Sequence, residues 1–230
     1  MARENPLWGS PQIMAELLLL GLNVSKSTVE KYMVRGDRPP SQTWRTFLDN
    51  HIRDIAAIDL FTVPTITFHV LFFLIVLRHD RRRAIHFNIT EHPTEQWTAQ
   101  QVVESFPYDR TPRYLIRDRD SIYAEHFKQR VKHMGIKQVL IAYLSPWQNP
   151  YVERLIGSTR RECLDHVIIL NEAHLHRILT SYFEYYHKSR PHMSLERNSP
   201  IPRKIERREQ GHVVSIPKVG GLHHRYRRAA

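Results

Sequence analysis

Three apolar runs rich in β-branched and aromatic residues follow one another early in the chain, and they constrain its fold more than any other feature. They are Ile55 to Val63, Phe68 to Arg78 and Ala84 to Thr90, separated by turn residues at Pro64-Thr65 and at His79 to Arg83. Short runs of this composition, bounded by turn residues, are typical of β-strands joined as hairpins. The sequence therefore predicts three successive antiparallel strands.

Helical and strand-like segments alternate after these runs. Thr94 to Phe106 and Ala124 to Met134 have helical patterns, the second closed by Gly135, whereas Arg113 to Arg117 and Lys137 to Ala142 are strand-like. The predicted order is β-β-β-α-β-α-β followed by helices. This order implies an α/β fold with a mixed five-stranded sheet and helices on its faces, which is the order of the RNase H-like fold.

Two short helices are predicted near the N-terminus. The first spans residues 11–21, with a proline at its start and a glycine at its end, and Ser25 is a candidate N-cap for a second helix over residues 26–34. Two helices joined by so tight a turn resemble a helix-turn-helix, whose second helix would face DNA, although a hairpin that only packs on the main domain is the alternative. The candidate contacts on the second helix are Lys26, Thr28 and Lys31.

The chain is expected to have four regions. Residues 1–38 form the helix-turn-helix-like segment, and residues 39–50 form a linker, because the polar stretch 35–41 contains two consecutive prolines. The main α/β domain spans residues 51–205, and residues 206–230 are expected to be a basic tail.

The charge of the chain indicates a polyanionic partner. Lysine and arginine total 34 against 23 acidic residues, which gives a net charge of +11 before any of the 15 histidines is protonated. The longest apolar stretch, Phe68 to Leu77, is shorter than the roughly 20 residues of a membrane-spanning helix, so nucleic acid is favoured over a membrane. The N-terminus lacks the pattern of a secretory signal, so a cytoplasmic protein is expected.

One cysteine limits the chemistry that thiols can supply. Cys163 is the only cysteine, which excludes an intramolecular disulfide and any zinc site that needs two thiolates. No activating base stands nearby in the sequence, so we expect Cys163 to be a buried packing residue rather than a nucleophile.

Acidic residues at the ends and in the middle of predicted elements are the candidate chemical groups. Asp59 lies inside an otherwise apolar strand, where an ionised side chain costs several kcal/mol unless it is paired or bound to metal. Asp118 follows the fourth strand at its carboxyl end, where ligands of open sheets gather, but Asp120 has the same alternation and competes with it. Glu153 lies in the first turn of a helix that begins at Pro150 with Asn149 as candidate cap.

Each of these carboxylates also has an ordinary interpretation. A strand aspartate is more often an edge residue or an arginine partner, and a glutamate in a first turn favours the positive end of the helix dipole. Together, however, carboxylates from two strands and a helix N-terminus can converge on hard cations such as Mg²⁺. Two ions about 3.5 to 4 Å apart would serve phosphodiester chemistry.

The spacing of Asp59, Asp118 and Glu153, the last two 35 positions apart, resembles the D,D-35-E pattern of retroviral-type integrases and bacterial insertion-sequence transposases. Several flanking segments resemble the same family, and together they span about residues 5–203. They are Asn5 to Gly9, Asp118 to Tyr123, Ser145 to Asn149, Arg160 to Asp165, and Tyr185 to His192 with Leu195 and Pro200. Tyr143-Leu144 departs from the family, which often has a basic or small polar residue before the serine.

The resemblance implies an RNase H-like catalytic core that cleaves and joins DNA at element ends. It implies Asp59, Asp118 and Glu153 as catalytic metal ligands, with Asp118 rather than Asp120, and two Mg²⁺ ions for which Mn²⁺ can substitute. The expected partners are double-stranded element-end and target DNA, bound by a homo-oligomer. The alternatives are a DNA-binding regulator derived from such an enzyme and a nuclease that does not integrate.

Further DNA contacts are expected near the triad. Gln148 and Asn149 would lie close to the cut, and Arg160 lies seven residues beyond Glu153 and so on the same helical face. The turn at 79–83 and the segment 223–228 are cationic, and either binds phosphates or is simply solvated.

Overall fold

The structure is a computed structural model that describes residue 1 and residues 10–33, 43–107, 110–142 and 145–229. It divides the chain into two compact units, Met1–Thr43 and Trp44–Ala230. The expectations for residues 5–9, for residues 35–41 and for Tyr143-Leu144 lie outside the described residues.

The first unit contains two short helices, α1 (Ser10–Leu19) and α2 (Lys26–Tyr32). The predicted cap is confirmed, since the Ser25 side chain accepts a hydrogen bond of 3.2 Å from the backbone N–H of Thr28. Gly21 has a φ of 80°, a left-handed conformation that suits the residue after a helix end. The Ser10 hydroxyl donates to Glu30 at 3.0 Å and so ties the two helices together.

A five-stranded sheet is the centre of the second unit. Its strands are β1 (Ile55–Pro64), β2 (Val70–Arg78), β3 (Arg83–Thr90), β4 (Tyr114–Arg117) and β5 (Lys137–Leu140). The spatial order is β3-β2-β1-β4-β5, in which the first three strands pair antiparallel and β4 and β5 extend the sheet in parallel. The predicted mixed five-stranded sheet is confirmed.

Helices cover both faces of this sheet. They are α3 (Trp44–His51), α4 (Glu95–Ser105), α5 (Glu125–His133), α6 (Pro150–Glu162) and α7 (Glu172–Lys188). The helices α4 and α5 bury Val102 and Phe127 in the core on one face, while α6 and α7 bury Leu155 and Leu179 in the core on the other. None of the described helices is long and apolar enough to cross a membrane.

Side-chain alternation along β1 decides which face of the sheet carries the acidic residue. Ala57 and Phe61 belong to the core under α6 and α7, whereas Ala56 and Ile58 belong to the core under α4 and α5. Because successive strand residues point to opposite faces, Asp59 faces the α6 and α7 side. The only described cysteine, Cys163, is fully buried in that same core, as predicted.

The predicted linker over residues 39–50 is wrong in its second half, because residues 44–51 form α3. Leu48 is buried in the core, and Phe47 packs its ring edge-on against Tyr114 with centroids 5.1 Å apart. Apolar residues at Trp44, Phe47 and Leu48 have the helical spacing of one face, so the signal was present in the sequence. The preceding prolines obscured it.

The predicted basic tail over residues 206–230 is also wrong. It contains a hairpin of β6 (His212–Lys218) and β7 (His223–Ala229). The hairpin is docked by the His223 ring, which stacks on Tyr185 of α7 at 4.4 Å, and by Val219, which is buried. The strands were missed because charged residues dominate β7 and hide its alternation.

Candidate active site

The parallel pairing of β1 and β4 brings two of the acidic residues side by side. Ala57 lies opposite Ile116 in this register. Asp59 lies two residues beyond Ala57, and Asp118 lies two residues beyond Ile116. Adjacent strands of a sheet lie about 4.8 Å apart. Ile116 and Ala57 share the core under α6, so Asp59, two residues beyond Ala57 in β1, faces that helix, and the charge of Asp118 is close enough to raise the pKa of Asp59.

Glu153 approaches the same place from the first turn of α6. Its backbone N–H donates to Asn149 O at 3.2 Å in that first turn, and its charge acts on Asp59 while the charge of Asp118 acts on it. The predicted capping by the Asn149 side chain is wrong: no side-chain cap bond forms, and Asn149 Oδ1 is buried without a partner among the described residues. Pro150 occupies the first helical position, as predicted.

The three carboxyls interact electrostatically. Burial raises the pKa of Asp59 to about 7, opposed by a hydrogen bond from the Leu60 backbone and reinforced by the charges of Glu153 and Asp118. Burial, followed by the charge of Asp118, likewise raises the pKa of Glu153. The three carboxyls are therefore close enough for their charges to act on one another.

The structure distinguishes Asp118 from Asp120 by what each carboxylate already binds. Asp120 Oδ1 accepts from the backbone N–H of Ile122 at 3.1 Å and from Ser121 Oγ at 3.3 Å, so it caps a short 3-10 turn. Asp118 Oδ1 accepts a hydrogen bond from the backbone N–H of Asp120 at 3.1 Å, and the residue is half-buried whereas Asp120 is exposed. Burial raises the pKa of Asp118. The Asp120 carboxylate thus has a local structural role as the cap of the turn, whereas Asp118 lies beside Asp59.

The donor set suits a hard divalent cation, although the groups are not drawn into a tight cluster. Carboxylate oxygens are the ligands that Mg²⁺ prefers, and among the described residues no lysine or arginine forms an ion pair with Asp59, Asp118 or Glu153. In the same part of the chain, no three His, Cys, Asp or Glu side chains are already arranged as a metal site. Three mutually repelling anions are expected to stay apart until a cation binds between them.

Two residues that the sequence analysis did not single out lie beside the carboxylates. Tyr123 is fully buried, its hydroxyl has no partner among the described residues, and burial together with the charge of Asp59 raises its pKa well above the ordinary value. Arg117 is 4 % exposed, lies 5.2 Å over the Tyr123 ring and donates to Asp118 O and Gln138. An arginine at the end of an otherwise apolar strand was the available signal.

The expected DNA contacts near the triad are mostly engaged within the protein. Asn149 is 2 % exposed, so direct contact with DNA is wrong for this conformation. Gln148 Oε1 accepts from the backbone N–H of Ala142 at 2.7 Å. Arg160 is exposed, but it lies 5.0 Å over the Phe61 ring and donates to Thr62 O at 3.3 Å, which ties it to β1.

The three candidates on α2 are all exposed. Lys26 forms a surface ion pair with Glu30 at 3.7 Å, and the Thr28 hydroxyl bonds to Ser25 Oγ at 2.8 Å. Lys31 lies 5.7 Å over the ring of Tyr32. They remain available to a ligand, and their role stays a prediction.

The other family-like segments meet at the carboxyl end of α6. Glu162 receives two hydrogen bonds from the Arg190 guanidinium, at 2.6 and 2.7 Å, and one from the Tyr182 hydroxyl at 3.0 Å. Burial raises the pKa of Glu162, but these bonds and the Arg190 charge outweigh it and hold the pKa below its ordinary value. The Glu162 backbone carbonyl bonds to His223 at 2.7 Å, which fastens the C-terminal hairpin.

The basic turn between β2 and β3 is used within the fold. Arg81 donates to Pro200 O at 2.8 Å and to Ser199 O at 3.2 Å, and Arg82 lies 4.7 Å over the Tyr151 ring at the start of α6. These two arginines therefore join the turn to the segment after α7 and to α6.

Comparison with known proteins gives one family match. Residues 134–200 match the family described as Integrase core domain. This segment contains α6 and α7, so it includes Glu153, Glu162 and Arg190. A curated relative, an uncharacterized 39.2 kDa protein of insertion element IS476 from Xanthomonas euvesicatoria, is 30% identical over 89 residues. The match covers 39% of this chain and only 26% of that protein.

Solved structures share the fold at low identity. The catalytic domain of Mos1 mariner transposase superposes with a TM-score of 0.53 and 14% identity, covering 66% of this chain and 85% of that one. A chain of the simian T-cell lymphotropic virus intasome, solved in complex with PP2A regulatory subunit B56 gamma, superposes with a TM-score of 0.53 and 12% identity. The superposition covers 93% of this chain and 82% of that one. The five-stranded sheet and its helices are thus the RNase H-like fold of integrase and transposase catalytic domains.

Proposed function

We propose that this chain, whose residues 134–200 match the integrase core domain family, is a transposase that cleaves DNA and joins the cut strand to a target. The observation that carries the proposal is that the β1–β4 pairing leads to Asp59 and Asp118 two residues beyond Ala57 and Ile116, and that the charges of Glu153 and Asp118 both act on Asp59. Asp59 in β1 and Asp118 just after β4 are half-buried without an ion pair among the described residues, which costs stability, and a passive DNA-binding protein has no use for such a pair beside a polyanion.

Asp59, Asp118 and Glu153 are the proposed catalytic ligands of two Mg²⁺ ions, with Mn²⁺ as a substitute. When bound, such ions activate the attacking hydroxyl and stabilise the leaving oxygen of a phosphodiester. The chain itself supplies the positioning. The Leu60 backbone N–H donates to Asp59 at 2.8 Å, and the Asp120 backbone N–H donates to Asp118, so each aspartate has one oxygen oriented by the backbone.

Arg117 and Tyr123 are proposed to support this site rather than to react. Arg117 is bonded to Asp118 O and to Gln138, so it fixes the backbone from which Asp118 projects. Tyr123 excludes water from the underside of the site, because its buried ring packs against Phe127 at 4.8 Å.

The proposed partners are double-stranded DNA of the element ends and of the target, on which the protein acts as a homo-oligomer in the bacterial cytoplasm. On α2, Lys26, Thr28 and Lys31 remain proposed DNA contacts. Near the site, Gln148 and Arg160 could reach DNA only by exchanging their present bonds to Ala142 and Thr62. The arrangement of residues 1–38, 51–205 and the connecting segment as separate functional regions is part of the same proposal.

A strand-transfer assay with DNA that flanks the gene tests the proposal. The purified protein is incubated with labelled flanking duplex and a plasmid target, in MgCl₂ or in EDTA, alongside Asp59→Asn and Glu153→Gln. Joined products that need MgCl₂ and both carboxylates support a transposase. Cleavage without joining would make the protein a nuclease, salt-sensitive binding without cleavage would make it a regulator, and full activity in both variants would refute the proposed site.

A further inference from the structure

Two adjoining cavities lie between the segment after α7 and the C-terminal hairpin. Each has a volume of about 320 Å³. They share Arg203, Lys204 and Glu206 as lining residues and so adjoin one another, and we call the two together the basic groove. Part of its lining comes from segment 223–228, whose cations were expected either to bind phosphates or to be solvated.

Positive charge dominates the lining. The first cavity contains Arg197, Arg203, Lys204, Arg227 and Arg228, and the second adds Lys188 and Arg225. Among the described lining residues Glu206 is the one carboxylate, and its Oε2 already accepts a hydrogen bond from the Arg228 backbone N–H. The two linings together therefore contain seven cationic residues and one carboxylate, and one oxygen of that carboxylate already accepts a hydrogen bond.

The arginines are held in place by neutral groups, which leaves their charge uncompensated. Arg203 donates to Tyr226 O at 2.9 Å and to Ser189 O at 3.4 Å, and Arg228 donates to Gly211 O at 2.8 Å. Of the groove cations that the structure describes, only Lys188 has a carboxylate within 4.0 Å, Glu184 at 3.4 Å. The Nε atoms of Arg203 and Arg225 are buried and have no hydrogen-bond partner among the described residues.

An aromatic ring lies at the rim of this charge. Tyr226 lines the first cavity, lies between Arg225 and Arg227 in β7, and is 59% exposed. An exposed ring among cations can stack on a base or a sugar while the cations meet phosphates. A lone phosphate would use only part of the lining, because the cations are spread over two cavities instead of converging on one point.

We propose that the basic groove binds the phosphodiester backbone of a nucleic acid, with Tyr226 against a base or sugar, at a place separate from the three carboxylates. The ligand is a polyanion because several evenly spaced charges are needed to neutralise cations distributed along a groove, and the released counterions favour binding. The identification of that polyanion as DNA rests on the proposed function. The same backbone chemistry is offered by duplex and by single-stranded DNA.

The test is fluorescence anisotropy of a labelled 20-nucleotide DNA, single-stranded or duplex and of arbitrary sequence, titrated with the full chain in EDTA at several salt concentrations. The variant Lys204→Gln/Arg227→Gln removes two lining cations for which the structure records no ion pair. The matched control is Arg130→Gln/Lys132→Gln at the exposed end of α5, which lowers the net charge equally.

The groove variant is expected to bind DNA about tenfold more weakly. The plot of log affinity against log salt concentration should become less steep by about two, roughly one for each lost phosphate contact. The control is expected to change affinity less than about threefold. Tighter binding of single-stranded DNA would support the contact of Tyr226 with a base, whereas preference for duplex would overturn that contact and leave only the backbone contacts of the cations. Equal affinities of the groove variant and the control would overturn the inference.

Failure of this inference is distinct from failure of the proposed function, because the binding assay excludes metal and the strand-transfer assay requires it. A groove variant that loses binding while the wild type shows no cleavage would leave the groove standing without the transposase. Wild-type strand transfer together with unchanged binding by the groove variant would leave the transposase standing without the groove.

Discussion

The two ends of α6 carry glutamates with opposite surroundings. Glu153, in the first turn, lies near two aspartates, and burial and the charge of Asp118 raise its pKa. Glu162, at the last residue, is bonded twice by Arg190 and once by Tyr182, which lower its pKa. One helix therefore presents, among the described residues, an exposed carboxylate without an ion pair at its amino end and an arginine-paired one at its carboxyl end.

The difference teaches how to separate a stabilising acidic residue from one retained for chemistry. A charge that folding alone requires is paired, because an unpaired buried charge costs free energy. The carboxylates around Glu153 form no ion pair with a lysine or arginine among the described residues, and the proposed function assigns them to a bound cation. The following experiments test that contrast, from the largest expected effect to the smallest.

Asp118→Asn is expected to reduce Mg²⁺-dependent cleavage of flanking DNA by at least about a hundredfold, more than the usual loss on changing a residue that only orients a ligand. The change removes a negative charge from a repelling group, so the unfolding free energy in EDTA should not fall. Cleavage rates and urea denaturation measure the two effects. Loss of folding in this variant would place Asp118 with the structural carboxylates and break the contrast.

Glu162→Gln is expected to lower the unfolding free energy by about 2 kcal/mol, because it leaves the Arg190 guanidinium, 23% exposed in its side chain, without its anion. The thermal midpoint should fall by roughly 4 to 8 °C. The control is Glu184→Gln, which breaks the surface pair with Lys188 and should cost under about 1 kcal/mol. Equal losses in the two variants would contradict the assigned role of Glu162.

The same pair gives a pH dependence with a defined sign. Since the pKa of Glu162 is lower in the folded than in the unfolded protein, its stabilisation is present above the ordinary value of 4.5 and is lost as pH falls through the folded value. The difference in urea midpoint between wild type and Glu162→Gln should stay constant from pH 7 to 5 and shrink below 4.5. A difference that grew on acidification would have the wrong sign.

Millimolar MgCl₂ is expected to raise the thermal midpoint of the wild type by a few degrees, because a ligand that binds only the folded state stabilises it. Asp59→Asn should lose this response, and Glu162→Gln should keep it despite its lower starting stability. Differential scanning fluorimetry with and without MgCl₂ measures both. A response that is the same in all three proteins would assign the ion to another place.

Asp120→Asn is expected to cost at most a few-fold in cleavage rate. Asparagine can still accept the Ile122 backbone N–H and so keeps the cap of the short turn. A loss as large as that of Asp118→Asn would exchange the roles of the two residues. Rates measured in parallel with the Asp118 variant decide between them.

Much of the fold was predictable because it depends on local patterns. The five strands and the helices α4 and α5 follow from periodicity. Each begins and ends within two residues of its predicted bounds. The helix α3 was assigned to a linker and β6 and β7 to a tail, because their apolar residues are few and are buried only by contact with distant parts of the chain. Local patterning is weak wherever tertiary contacts supply the stability.

The candidate site divides in the same way. Asp59 and Glu153 stood out because an acidic residue in an apolar strand and one in a helix first turn are visible locally. The sequence did not identify the Glu162–Arg190 pair or Arg117, because Arg190 and Gln138 are distant in sequence from the residues that they contact. Nor did it identify Tyr123, whose contacts with Arg117 and Phe127 join different elements. Asn149 was misassigned because nothing local shows that its side chain is buried.

The sequence by itself determined the order of strands and helices and the presence of three acidic residues at positions where charge is costly. Only the tertiary structure decided which of them meet, because the β1–β4 pairing and the position of α6 bring Asp118 and Glu153 near Asp59, while Asp120 caps the short turn that follows. Only the tertiary structure, too, gathered the cations of the C-terminal hairpin and residues 197–206 into one groove. Alternation and charge are properties of a segment, whereas register and pairing arise between segments.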